Sequence, residues 1–398
     1  MSKVPQTERV SLLDRVTGGV LLRCGGEADI YRLFSEKQNL ILKWYKNDCH
    51  FNQAIVEKTA RTRCPGLYRI LEWGIRDNHS YLVYEFVDGL NSGRIDWLPV
   101  PVALFALRQV VATLATLQKQ GVSHGDLSPS NVIFTIPNFV SSVLPLQAVL
   151  IDSGINGIGA PAYAAPERFQ GAPPSEKSDI YSLGMLLYRW IVGNNLLNAD
   201  SFDSFASQGA SIESLNITEK IYLLERGALS DVENESEVLA ALDPIWRRTL
   251  RLKREDRAED LEELDEILEI ALNKVSGGGV SLVRIVEKFA QENVLRFMEN
   301  GKTRQKVPNS KESVLPYKIV SEKRKFSWQK NYLMIGLVVI LVLFALVVLL
   351  GTRSPDIDAT GKIMLKKSRS VNTLEMEVPL PTVPMDSLLK SLPTPDSK

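Results

Sequence analysis

The sequence predicts an α+β fold, with strands gathered on the N-terminal side, helices following, and one membrane-spanning segment beyond the folded part. Three observations carry that reading. From Gly18 onward, apolar residues come in short runs broken by glycines: Val20-Leu21-Leu22, then Cys24-Gly25-Gly26-Glu27-Ala28-Asp29-Ile30-Tyr31, then Leu40-Ile41-Leu42-Lys43-Trp44-Tyr45. Such runs, punctuated by turns, are strands. Residues 102–120 instead place apolar side chains at helical spacing, and residues 259–272 form an acidic helix; strands first and helices after is the α+β order. Residues 332–350 hold no charged side chain, and about 19 such residues suffice to cross the hydrocarbon layer.

Composition narrows the classes. The 398 residues carry 47 Lys+Arg against 47 Asp+Glu, so net charge gives no reason to expect a nucleic-acid partner. The three cysteines, Cys24, Cys49 and Cys64, are widely spaced; they make neither a metal-ligand spacing nor an even disulfide set, which suits a reducing compartment. The first twenty residues have charges and no long apolar run, unlike a cleaved signal peptide. Before the apolar stretch stand Lys318, Lys323, Arg324, Lys325 and Lys330, with Trp328 and Tyr332 as interfacial aromatics; after it come Arg353, Lys362, Lys366 and Lys367. The positive-inside bias makes this a single-pass protein of the cell membrane with its N-terminal part cytoplasmic.

Along the chain, residues 1–17 read as an irregular lead-in. The glycine pair Gly25-Gly26 marks a turn that either closes an ordinary hairpin or lets backbone N–H groups approach phosphate. Lys43 sits in the third strand. Glu57 is the only acid in the helix expected over 52–62, and residues 80–89 run from a strand into a loop. Two stretches then carry chemistry. In His124-Gly125-Asp126-Leu127-Ser128-Pro129-Ser130-Asn131 an acid and an amide lie five residues apart, followed by the apolar run Val132-Ile133-Phe134. The acid can accept a proton from an attacking hydroxyl, and the amide oxygen can hold magnesium. A second acid stands in Ile151-Asp152-Ser153-Gly154, where a carboxylate beside a flexible glycine can reach a metal bridging two phosphates.

These stretches resemble the catalytic loop H-R-D-x-x-x-x-N and the D-F-G motif of the protein kinase superfamily. Others agree in order. Gly159-Ala160-Pro161-Ala162-Tyr163-Ala164-Ala165-Pro166-Glu167 is similar to G-T-P-x-Y-x-A-P-E. Ser178-Asp179-Ile180-Tyr181-Ser182-Leu183-Gly184 is similar to the start of the central helix of the large lobe, and Arg257 follows Leu252-Lys253-Arg254-Glu255-Asp256. The resemblance covers residues 18 to about 272, and its style is that of bacterial, eukaryotic-like Ser/Thr protein kinases. It implies a bilobal fold, with a small β-rich lobe and a helical lobe.

The resemblance also implies roles. Lys43 would grip phosphate with Glu57 as its ion-pair partner. Gly25, Gly26, Ile30, Ile41, and the backbone of Glu85 and Val87 would meet the nucleotide, with Tyr84 guarding the back of the pocket. Asp126 would be the catalytic base, and Asn131 and Asp152 would hold Mg2+ on ATP. His124 and Gly154 would be structural, Asp179 would bind the backbone of the catalytic loop, and Arg257 would pair with Glu167. Several positions depart from the pattern. Of the glycine loop G-x-G-x-x-G-x-V, only the middle glycine is kept, the key positions being Arg23, Gly25, Ala28 and Ile30. Ile41 replaces a small alanine, Gly125 an arginine, Ser128 a lysine, Ser153 a phenylalanine and Ala160 a threonine. His124-Gly125-Asp126-Leu127-Ser128 looks like the loop of RIO-type atypical kinases, and H-G-D also occurs in aminoglycoside phosphotransferases.

The resulting expectation is a kinase-like domain over 18–275, an amphipathic juxtamembrane segment and basic linker over 276–331, the span at 332–350, and an extracytoplasmic, Pro-rich tail over 351–398. The activity expected is membrane-anchored transfer of the ATP γ-phosphate to a protein hydroxyl, with protein substrates and a partner for the tail. The alternatives are a pseudokinase that scaffolds or senses nucleotide at the membrane, motivated by the glycine loop, Ile41 and Ser153, and a small-molecule phosphotransferase, motivated by H-G-D and Ser128.

Overall fold

The structure, a computed structural model, describes residues 11–35, 38–46, 49–137, 144–153, 159–197, 234–277, 279–304 and 315–316. Gly154, the apolar stretch 332–350 and the tail 351–398 lie outside the described residues.

The N-terminal lobe is a five-stranded antiparallel sheet in the order β1-β2-β3-β5-β4, built from β1 (Val16–Cys24), β2 (Ala28–Ser35), β3 (Asn39–Tyr45), β4 (Ile70–Arg76) and β5 (His79–Glu85). Asp77 and Asn78 turn β4 into β5 with φ of 49° and 65°, the left-handed pair that a two-residue hairpin of this twist requires. Strand alternation divides the sheet into two faces. Leu40, Leu42 and Trp44 join Leu13, Tyr31, Leu33, Tyr81 and Val83 on the outer face, while Ile41 and Tyr45 belong to the main core. Lys43 is therefore set on the inner face by its register alone. Helix α1 (Gln53–Arg61) follows β3 and is capped by the Asn52 side chain, which accepts from the N–H groups of Ala54 and Ile55.

The second lobe is mainly helical. Helix α2 (Val100–Gln118) is apolar and long enough to cross a membrane, but here it is the central core helix, with eleven buried residues. A small sheet of β6 (Leu90–Asn91), β7 (Val132–Thr135) and β8 (Gln147–Leu150) lies beside it. Then come α3 (Pro166–Phe169), α4 (Glu176–Val192), α5 (Glu235–Thr249) and α6 (Leu261–Ser276). Helix α4 begins with a reciprocal Ser175–Ser178 capping box and ends at Gly193 with φ 89°, start and stop signals written in the sequence.

The boundaries differ from expectation at both ends. The glycines after Ser276 end α6 but not the core. Helix α7 (Gly279–Phe289), a π-helical turn (Ala290–Leu295) and α8 (Arg296–Arg304) continue the chain. Val286, Phe289, Ala290, Val294 and Met298 are buried in the main core, with Phe289 edge-on to Phe134 at 6.3 Å. Val286, Ala290, Val294 and Met298 recur every four residues, with Phe289 beside them, and such an apolar stripe needs a partner face, so the folded unit continues past residue 275. At the other end, Leu13 in the 3-10 turn Leu12–Arg15 is completely buried, so the lead-in contributes to the outer-face core. Leu315 packs onto that same face: a Cβ on Gly19 would stand 2.5 Å from its Cδ2.

Candidate active site

The loop before β7 is held from behind. Asp179, one turn into α4 and buried, accepts from the N–H of His124 at 2.8 Å and of Gly125 at 2.9 Å. Gly125 takes φ 75°, a conformation that costs an L side chain about 1–2 kcal/mol and that explains a glycine here. Burial raises Asp179 to about 7, against the pull of those two N–H groups. His124 is also fully buried, and burial lowers its pKa to about 4. Its neutral ring bridges the site: Nδ1 accepts from the Asp126 N–H at 3.3 Å, and Nε2 donates to the Ile151 carbonyl at 3.1 Å.

Asp126 has both carboxylate oxygens occupied. Oδ1 accepts from the Ala160 N–H at 2.6 Å, and Oδ2 from the Asn131 amide at 2.8 Å; the same amide donates to the Asp126 carbonyl at 2.7 Å. Burial raises the Asp126 pKa, and the two N–H contacts oppose the rise. Gly159, with φ 77°, brings the Ala160 peptide in: a Cβ there would lie 2.6 Å from Asp126 Oδ1 and 2.8 Å from the Gly125 carbonyl. Since Asn131 uses its amide N–H groups internally, its oxygen is the atom left to face a cation.

Lys43 and Asp152 close the other side. Asp152 sits at φ 62°, and its Oδ1 takes the Lys43 ammonium at 2.9 Å. Burial disfavours the charged ammonium, but Asp152 and the Tyr45 hydroxyl more than offset this and hold the Lys43 pKa above its ordinary value. Glu57 is not part of this arrangement, which corrects the expected Lys43–Glu57 pair. Glu57 accepts from Gln53 at 3.0 Å and lies 3.8 Å from Arg61 on the outer side of α1. The helix buries Val56, Thr59 and Ala60. Turning Glu57 inward would exchange buried apolar surface for an acid, which is unfavourable. Val56 is the α1 residue facing the enclosed space behind Lys43, together with Tyr45, Tyr68, Leu82 and Ser153. The Ser153 hydroxyl is buried there with no hydrogen-bond partner among the described residues. Tyr45 was legible as a neighbour of Lys43, two residues on in the same strand; Tyr68 had no such signal.

Gly25, Gly26, Ile30, Lys43, Asp126, Asn131 and Asp152 all line one cleft of about 390 Å3 between the lobes, as do Arg23, Ser128 and Ala160. Gly25 is demanded by its turn: its N–H bonds the Ala28 carbonyl at 3.0 Å, and a Cβ would stand 2.5 Å from that oxygen. Among the described residues that line this cleft, Ile41, Glu85 and Val87 are absent. Ile41 is buried, paired with Arg32 on one side and Tyr84 on the other. The Arg32 guanidinium lies 4.0 Å over the Phe86 ring.

Farther off, Arg257 is 1% exposed and makes a bidentate pair with Glu167 at 2.7 and 2.8 Å, its remaining donors reaching the carbonyls of Lys177, Arg251 and Leu252. This pair pins α3 to the turn before α6. In chemical terms, the cleft offers a half-buried carboxylate held by two donors, an amide oxygen, a second carboxylate and a fixed cation. That set suits an anionic, metal-bearing substrate.

A family model described as the protein kinase domain matches residues 46–264, more than half of the chain. The match starts after Lys43, leaving β1 to β3 outside it. The chain is 29% identical to the serine/threonine-protein kinase pkn2 of Myxococcus xanthus over 236 residues, 52% of this chain and 28% of that protein. It is 26% identical to the serine/threonine-protein kinase PrkC of Bacillus subtilis over 267 residues, 62% of this chain and 39% of that protein. The chain thus spans well under half the length of these curated relatives. A crystal structure of the Mycobacterium tuberculosis PknI kinase domain aligns with a TM-score of 0.47 at 19% identity, covering 64% of this chain and 97% of that one.

Proposed function

Because this chain belongs to the protein kinase domain family, we propose that it transfers the γ-phosphate of ATP to a serine or threonine hydroxyl of a protein. The observation that carries the reading is the convergence of Lys43, Asp126, Asn131 and Asp152 on one cleft. Asp126 accepts the proton of the attacking hydroxyl; its raised pKa keeps it a competent base, and its two donors fix its direction. Lys43 neutralises phosphate charge. The Asn131 oxygen and the second oxygen of Asp152 are a fitting donor pair for Mg2+, which needs few protein ligands when phosphates supply the rest. That ion would bridge phosphate oxygens and offset their charge. With residues 332–350 as a single span and the basic flank before it, the kinase domain would face the cytoplasm, and the Pro-rich tail would meet a partner on the other side.

A second reading is favoured by the turned-out Glu57, by Ile41 in place of a small alanine, and by Ser153 in place of a phenylalanine. Under it the domain binds nucleotide, or nothing, without turnover. Full-length protein in detergent, incubated with labelled ATP and Mg2+ beside a generic basic protein, separates the two. Label transfer lost in Asp126→Asn supports the kinase. No transfer, with nucleotide still raising the Tm, supports the binding module, and transfer to metabolites alone would support a small-molecule phosphotransferase.

A further inference from the structure

Strand β1 contains an irregularity that changes which way one cation points. Its register against β2 pairs Leu21 with Tyr31 and then Arg23 with Ile30, so Leu22 is an extra residue without a partner. Tyr31 is buried in the outer-face cluster, which sets Leu21 outward. Under strict alternation Arg23, two residues on, would point outward too. A bulge reverses the phase and re-aims the side chain. Arg23 accordingly lines the inner cleft with Ile30 and Lys43. Because Ile30 also pairs with Lys43, Arg23, Ile30 and Lys43 form one row across three strands, which places the two cations about 9–10 Å apart at the backbone. Asp126, Asn131 and Asp152 form the facing wall.

The two cations differ in state. Lys43 is buried and already paired with Asp152. Arg23 is exposed, and among the described residues it makes no hydrogen bond or ion pair. An unneutralised guanidinium aimed into a cleft calls for an anion, and its planar fork suits phosphate oxygens. The same turn has lost flexible backbone: beyond Gly25 and Gly26 it carries Glu27 and Ala28, so fewer bare N–H groups can approach a phosphate chain.

We propose that Arg23 is a nucleotide-binding residue that grips the phosphate chain from the covering loop, doing with a side chain what a glycine-rich turn does with backbone. The proposal rests on the cleft being a nucleotide site. Titrations of the full-length protein in detergent with MgATP, MgADP and adenosine test it, using Arg23→Gln, Arg23→Lys and Arg23→Gly. Arg23→Gln is expected to weaken MgATP binding about tenfold, MgADP less, and adenosine not at all, with Arg23→Lys between Arg23→Gln and the unaltered protein. Arg23→Gly, which restores the motif residue, is expected to bind MgATP no more tightly than Arg23→Gln. Unchanged MgATP affinity in Arg23→Gln, a tighter Arg23→Gly, or a parallel loss of adenosine would overturn the role of Arg23 and leave the nucleotide site standing. If the unaltered protein binds none of the three, both readings fall together. Tm values within a degree or two would show that the variants stay folded, as an exposed residue predicts.

Discussion

Replacing Gly159 by alanine tests how the Asp126 carboxylate is held. The added Cβ would lie 2.6 Å from Asp126 Oδ1 and 2.8 Å from the Gly125 carbonyl, at φ 77°. Ordinary contact between such atoms begins near 3.4 Å, so the loop must retreat by roughly 0.8 Å, and a misplacement of about 1 Å can cost about a hundredfold in rate. The retreat also breaks the 2.6 Å bond from the Ala160 N–H to Asp126, a bond to a charged group worth about 1.5–3 kcal/mol, and left-handed backbone costs alanine about 1–2 kcal/mol more. We expect kcat at saturating MgATP to fall about thirty- to hundredfold, with nucleotide affinity changing less than about threefold. The acid limb of the pH–rate profile should move upward, because the Ala160 N–H is one of the groups opposing the rise in the Asp126 pKa. Ala160→Ser keeps the N–H and should stay close to the parent rate. A kcat for Gly159→Ala within threefold of the parent would refute the idea that this peptide positions Asp126.

Three other outcomes follow from the geometry. Glu57→Ala should leave kcat/KM within about twofold, since among the described residues its polar contacts are Gln53 and a 3.8 Å approach to Arg61; a loss of tenfold or more would mean that α1 rotates during turnover. Glu167→Gln should lower unfolding free energy by about 3–5 kcal/mol in denaturant titrations, because Arg257 would be left charged and buried; a change under 1 kcal/mol would rule that out. His124, with its pKa lowered from 6.5 to about 4, stays neutral in the fold while the unfolded chain takes up a proton below pH 6.5. Its contribution is therefore present above that value and lost as pH falls, by about 2 kcal/mol between pH 7 and pH 5, and His124→Gln should flatten that part of the stability profile.

What was legible in the sequence was whatever depends on short separations. The loop from His124 to Asn131 and the acid at Asp152 were identifiable because each motif is a few residues long, and Lys43 faces the cleft by simple strand alternation. Glu57, which the resemblance singled out and its being the only acid of its helix sharpened, faces away from Lys43 because the phase of α1 is set by Val56 and Ala60. Arg23 could be read as a departure from a glycine but not as a residue of the cleft, since a single unpaired Leu22 inverts alternation and leaves no mark in composition. The end of the folded unit was less legible for a related reason: glycines stop a helix without deciding whether the next one, carrying Val286 and Val294, packs on the same core, on the membrane or on a partner.

Leu13 and Leu315 meet the same outer face of the small lobe from opposite ends of the folded chain. A soluble fragment cut at residue 275 would strip Phe289 and Val294 from the large lobe and uncover the socket at Gly19 and Leu33. Two apolar patches would then be exposed on one small protein, a recipe for association rather than for a tame crystallisation target. Workable expression boundaries for the folded unit run from Ser11 or earlier to Pro316 or later, and inactivity in a shorter fragment would report on its truncation before it reported on its chemistry.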